Sequence, residues 1–176
     1  MLEESKADAM DEGQALMSQQ DLRGAQEHFA RILAGLREQP GEHGQVLRVY
    51  RALTIVELTM SFGKITFEEK QRRLQTAIFY NDRACLVGRN HATDRGELAI
   101  AKLQRAVVHG RRAQLEAKRG KSVDEVAQNW KAKTLGNISS ALDELRRSNQ
   151  EGFEDNQRWA HAWLQSFGLP QPYSSL

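Results

Sequence analysis

The side chains able to do chemistry in this chain of 176 residues are five histidines, one cysteine, a few adjacent carboxylates and a long series of arginines and lysines. His28, His43, His91, His109 and His161 are scattered and form no His-Glu-x-x-His element. A zinc site would have to be gathered from distant parts of the chain, so no metal is expected. Cys85 has no neighbouring histidine to activate it and sits among Ala84, Leu86 and Val87. It reads as a small buried apolar residue in a reducing compartment. His28 and His109 fall on helical stretches and read as surface or satisfied core residues. Glu68 with Glu69, and Asp124 with Glu125, stand at helix starts, where the positive end of the helix dipole accounts for them. Glycine and lysine never take the spacing of a phosphate-cradling loop after an apolar strand, so no nucleotide cofactor is expected. No cofactor of any kind and no enzymatic activity follow from these residues.

Two constellations remain. The first is basic: Lys70, Arg72, Arg73, Arg105, Arg111, Arg112, Lys118, Arg119 and Lys121. Arg105 and Arg112 are seven residues apart, as are Arg111 and Lys118, so each pair shares a helix face. Net charge is only +2, yet residues 1–44 carry −5, residues 45–121 carry +9 and residues 122–176 carry −2. Within this segment Lys70, Arg73, Arg105, Arg111, Arg112 and Lys118 are the candidate partner-binding residues, suited to an acidic peptide segment or, less well, to a phosphate backbone. The basic run lacks interleaved aromatic residues, which favours a protein partner over single-stranded nucleic acid. The second constellation is the row Trp159, Trp163 and Phe167, spaced by four. It reads first as a cap on the core and second as an interface anchor, through which a homodimer would form.

The elements that must position these residues are helices. Ala, Leu, Gln, Glu and Arg are abundant, prolines number three, and polar and apolar residues never alternate for long. Apolar spacing predicts helices over about 3–19, from an Asp21 cap to before Pro40-Gly41, over 45–61, and from a Thr66/Glu69 capping box to about Val87. A polar loop is expected over 88–93. A box at Asp94/Glu97 then opens a helix carrying Leu98, Ala101, Leu103, Val107, Val108 and Leu115 to near Gly120. A third box at Ser122/Glu125 opens a helix with Trp130, Leu135, Ile138, Leu142 and Leu145 on one stripe, and a last helix spans 153–167 before Gly168 and Pro170. The acidic start lacks a secretory pattern and no window reaches the roughly 18 apolar residues of a membrane span, so an intracellular protein, cytoplasmic or nuclear, is expected with no membrane partner.

The stretch Ala9 to Arg37 resembles a tetratricopeptide repeat, a helix-turn-helix unit of about 34 residues. Gly13 stands at the position for a small residue where the helices approach, Leu16 at the next large position, Ala25 at the small position of the second helix, and Phe29 at the large aromatic one. Ile32 follows before the helix tail, and Gln20-Asp21-Leu22 stands for the turn. Ala9 replaces the usual tryptophan, and Pro40 falls about three residues late. The resemblance implies an all-α fold of stacked antiparallel hairpins, a short TPR-like superhelix with a face for partner segments. Here it would hold about seven helices in one domain over 1–168, its terminal helix capping the stack, and a tail over 169–176. The expected function is a protein-protein interaction module, an adaptor or a subunit of a larger assembly. The rival expectations are a nucleic-acid-binding helical protein and a self-associating bundle.

Overall fold

The computed structural model describes residues 2–37, 41–91, 95–119, 125–146 and 153–166. Among them are seven α-helices and no strand: α1 Leu2–Ser18, α2 Leu22–Arg37, α3 His43–Met60, α4 Phe67–His91, α5 Arg95–Lys118, α6 Glu125–Arg146 and α7 Phe153–Ser166. The protein is all-α, as its periodicity predicts. Two compact units divide the chain, Met1–Val87 and Gly88–Leu176. Among the described residues no helix is long and apolar enough to cross a membrane. Phe167, Pro40, the caps expected at Asp94 and Ser122, and the tail 169–176 lie outside the described residues.

In the first unit α1 packs on α2, and α2 on α3. The turn between α1 and α2 is closed by two backbone bonds, Gln20 N–H to the Met17 carbonyl at 3.0 Å and Asp21 N–H to the Leu16 carbonyl at 2.9 Å. This is the pattern of a Schellman ending, and it places Gln20 at φ 63°. Asp21 then caps α2, its Oδ1 accepting from Gly24 N–H at 2.9 Å. The hairpin closes on Gly13: Phe29 is fully buried, and a Cβ at Gly13 would overlap its ring. A second tie runs from His28 Nε2–H to the Ala9 carbonyl, 2.6 Å away.

The core of this unit is Ala25, Phe29, Leu33 and Leu36 from α2, Val49, Leu53 and Val56 from α3, and Leu74 and Ala77 from α4. Buried within it is Glu57, 1 % exposed, which accepts from Gln26 of α2 and from Arg73 Nη1 of α4 at 3.3 Å. Burial pushes the Glu57 carboxyl upward, and the Arg73 charge and the two hydrogen bonds pull it partly back. Thr66 Oγ1 caps α4 by accepting from Glu69 N–H at 3.1 Å. The Glu69 carboxylate turns forward to Arg72 and Arg73, at 3.0 and 3.1 Å. Tyr50 of α3 meets Tyr80 of α4 with ring centroids 6.3 Å apart. Cys85 is buried, as its apolar neighbours suggest.

One boundary departs from the sequence reading. The stretch expected to be a loop over 88–93 stays helical to His91, so α4 is 25 residues long. Gly88 is buried in it, although glycine costs a helix roughly 1 kcal/mol.

In the second unit α5 is the central element, packing with both α6 and α7. It is buried on all sides: Leu98, Leu103, Val107, Val108 and Leu115 are joined by Gln104, His109, Arg111 and Glu116. Ala99, Ala106, Gly110 and Ala113 recur on one face, letting neighbouring elements come close. From α6, Thr134, Ile138 and Ala141 face inward, while Leu135, expected on the same stripe, is 37 % exposed. Leu135 lies one position past Thr134, about 100° around the helix, and that rotation carries it out to solvent.

The Gly13 contact yields a direct test. Gly13→Ala should lower stability by about 1–3 kcal/mol through overpacking against Phe29. Phe29→Leu in the same chain should recover part of that loss, read by urea denaturation as a coupling between the two positions.

Candidate functional site

The basic residues expected to bind a partner fall in both units. In the first, Lys70 is half-buried on α4, and Arg73 is 27 % exposed at its side chain and held by Glu57 and Glu69. In the second, all four lie on α5. Arg111 is 6 % exposed and donates from Nη1 to Gln114. Burial lowers its pKa, and it acts as a core residue. Lys118 is exposed near the end of the helix. Arg105 and Arg112 share a face with His109 between them, because positions 105, 109 and 112 follow the helical period.

That face meets α6 at Trp130. The His109 and Trp130 ring centroids are 4.9 Å apart and their planes tilted by 31°. Arg112 Cζ stands 5.2 Å from the indole centroid, and Lys133 Nζ 4.6 Å from it. Lys133 reaches the ring because it lies three residues after Trp130, one turn along α6. Thr134 Oγ1 donates to the Trp130 carbonyl at 2.9 Å, fixing the same turn. Arg112 Nε is 3.5 Å from Glu116 Oε1, four residues on. Burial lowers the Arg112 pKa, and Glu116 opposes the shift.

His109 is the anomaly at this site. It is 2 % exposed, and neither ring nitrogen has a hydrogen-bond partner. The expected reading, a surface or satisfied core histidine, is corrected: it is buried and unsatisfied. His28, of which the same was expected, is buried and bonded to the Ala9 carbonyl. An unmade hydrogen bond on a buried polar group costs about 1–3 kcal/mol. The His109 pKa falls from 6.5 to about 3, first because burial disfavours its charged form and then because Arg105, Lys133 and Arg112 repel a further positive charge. The imidazole is therefore neutral at neutral pH, with one N–H and one lone pair unused.

The site thus unites two expected residues, Arg105 and Arg112, with three that sequence reasoning did not select: His109, Trp130 and Lys133. Spacing alone could have placed His109 with the two arginines. The register of α6 against α5, which brings in Trp130 and Lys133, has no local signal. The aromatic residue missing from the basic run in sequence is present in space. Of the terminal row, Trp159 and Trp163 are half-buried on α7, which packs on α5. Among the described residues no group of three or more His, Cys, Asp or Glu side chains is placed to hold a metal ion.

Compared with known proteins, the chain matches no family model, no curated protein and no solved structure.

The depressed His109 pKa gives a pH dependence with a definite sign. Above pH 6.5 the ring is neutral in both folded and unfolded chains; between 6.5 and about 3 the unfolded chain takes up a proton that the folded one refuses. His109 therefore removes stability as pH falls through this window, with a limiting slope of about 1.4 kcal/mol per pH unit. His109→Leu should abolish that contribution and raise stability at neutral pH by about 1 kcal/mol, since it removes two unsatisfied atoms at similar volume. Thermal unfolding of both forms across this pH range checks it.

Proposed function

We propose that this chain is a non-enzymatic TPR-like helical interaction module, an adaptor or a subunit of a larger assembly, that binds an acidic segment of a protein partner on the face shared by α5 and α6. One observation carries the reading: Arg112 and Lys133 converge on the ring of Trp130, with Arg105 acting on the histidine beneath it. Lys133 stands at an exposed position and Trp130 is half-buried, so both can be reached from solvent. An acidic segment laid across them gains charge-assisted hydrogen bonds. The half-buried indole adds an apolar surface of the kind that anchors interfaces.

The charge distribution supports the same partner. The +9 of residues 45–121 concentrates positive charge in the part of the chain that includes α5, and such a field speeds the encounter with an acidic segment. Arg73 and Arg111 contribute to the fold, through Glu57 and Gln114. The binding face accordingly narrows to Arg105, Arg112 and Lys133, with exposed Lys118 further along α5. The buried Cys85 thiol suits an intracellular setting.

Fluorescence anisotropy of a labelled oligoglutamate peptide tests the reading. Binding should weaken as salt rises, and Lys133→Glu, at an exposed position, should weaken it about tenfold, or 1.4 kcal/mol. Absence of binding at low salt, or equal binding by wild type and variant, would rule the face out.

A further inference from the structure

We infer that two copies of this chain pair through the outer face of α4, their helices parallel about a two-fold axis, with Phe79 and Leu86 on the line of contact and Asp82 of each copy against the partner's Arg83. The inference concerns the first unit and is independent of the face on α5 and α6.

The face is defined by what α4 leaves in water. Leu74, Ala77, Ala84 and Cys85 turn inward, while Phe79 and Leu86, on the opposite side, are 49 % and 41 % exposed. Single apolar residues on a surface need no account. These two are seven residues apart, so they stand one above the other within about 20° around the helix, and together they form a line. The Phe79 ring on that line is already held in place. Arg83 Cζ stands 5.3 Å from its centroid, and the Tyr80 ring meets it edge-on with centroids 5.7 Å apart. A ring ordered before binding loses little freedom when it is covered.

The flanks identify what covers it. At about 100° per residue, Asp82 lies about 50° to one side of the line and Arg83 about 50° to the other, both exposed. A two-fold axis parallel to the helices turns the acidic flank of one copy onto the basic flank of the other. Asp82 then meets the partner's Arg83 on both edges of the contact, and one turn on Arg89 meets the uncharged partner's Asn90. An antiparallel pair would instead set each Asp82 and each Arg83 against its own counterpart, like charge against like. The pairing does not require unpaired charges. Arg83 keeps its place over Phe79 and Asp82 is engaged within its own chain, yet an exposed guanidinium and an exposed carboxylate each have more hydrogen-bonding sites than one contact uses. An acidic segment fits this face less well, because Asp82 stands between the two apolar anchors. Contact along one pair of helices is small compared with that of stable complexes, so the dimer is weak, with a Kd on the order of 10–100 μM.

Sedimentation equilibrium of the full-length chain from about 1 μM to about 1 mM spans that range and should show monomer giving way to dimer. Phe79→Ser should weaken the association at least about tenfold and leave the thermal stability of the dilute chain unchanged, since the position is exposed. Should that variant fold poorly, Leu86→Ser should have the same effect. Asp82→Arg and Arg83→Asp should each weaken self-association about tenfold, an equimolar mixture of the two should pair, and the chain carrying both exchanges should recover the original affinity. Monomer at every concentration, or a dimer that Phe79→Ser and Leu86→Ser leave intact, would overturn the inference. A double exchange that fails to recover overturns the parallel pairing. Binding of the oligoglutamate peptide that Phe79→Ser abolishes gives the face to an acidic partner and overturns it likewise.

Discussion

The second unit is organised by the burial of a helix that is rich in positive charge. α5 packs with α6 and α7, and its enclosed positions include Arg111, Glu116, Gln104 and His109 beside its apolar residues. Moving a guanidinium out of water is costly unless it is paired and hydrogen-bonded. Gln114 and Glu116 answer part of that cost, each lying within a turn of the arginine it serves. On the face of 105, 109 and 112 the His109 ring is left without a hydrogen-bond partner. Close packing of α6 sets Trp130 over this face and Lys133 beside it, so the same constraint that encloses the helix also concentrates its charge.

The first unit solves a similar problem with a different result. Glu57 is as deeply buried as any aliphatic core residue, but it draws one partner from α2 and one from α4 and so ties three helices at one carboxylate. A buried ion pair of this kind adds little net stability compared with an apolar cluster of the same size, yet removing one member leaves a charge stranded in the core. It therefore selects which side chains may face one another more than it strengthens the packing. In contrast to His109, every group in this knot has a partner.

Much of this architecture was legible in the sequence because it rests on local rules. The period of apolar residues located all seven helices, and Asp21 and Thr66 cap their helices as their types and positions imply. Gly13 and Phe29 could be picked out as a small and a large residue in a hairpin, and Cys85 as a core thiol. What escaped depends on distant parts of the chain. Gly88 reads as a loop residue until its burial is known, and Leu135 fits the stripe of α6 until the rotation of that helix is fixed. The charges were visible but their duties were not: Arg73 and Arg111 look as available as Lys118 until Glu57 and Gln114 are found beside them. For the same reason the meeting of His109, Trp130 and Lys133 could not be read, since it requires the register between two helices.

The turn at Gln20 bears on the order in which the molecule comes apart. A non-glycine residue held at φ 63° adopts that conformation at a cost, and the surrounding packing must sustain it. From Asp8 onward α1 meets α2 at Gly13, through the Ala9 carbonyl and at Glu12, 3.9 Å from His28 Nδ1, while Asp11, Gln14, Ala15 and Ser18 look into water. α1 is thus the helix whose release costs the first unit least, an opening well short of global unfolding. Its departure lets Gln20 relax and uncovers the ring of Phe29. The acidic first helix behaves as a hinged cover on Phe29, and amide exchange in the first unit begins there.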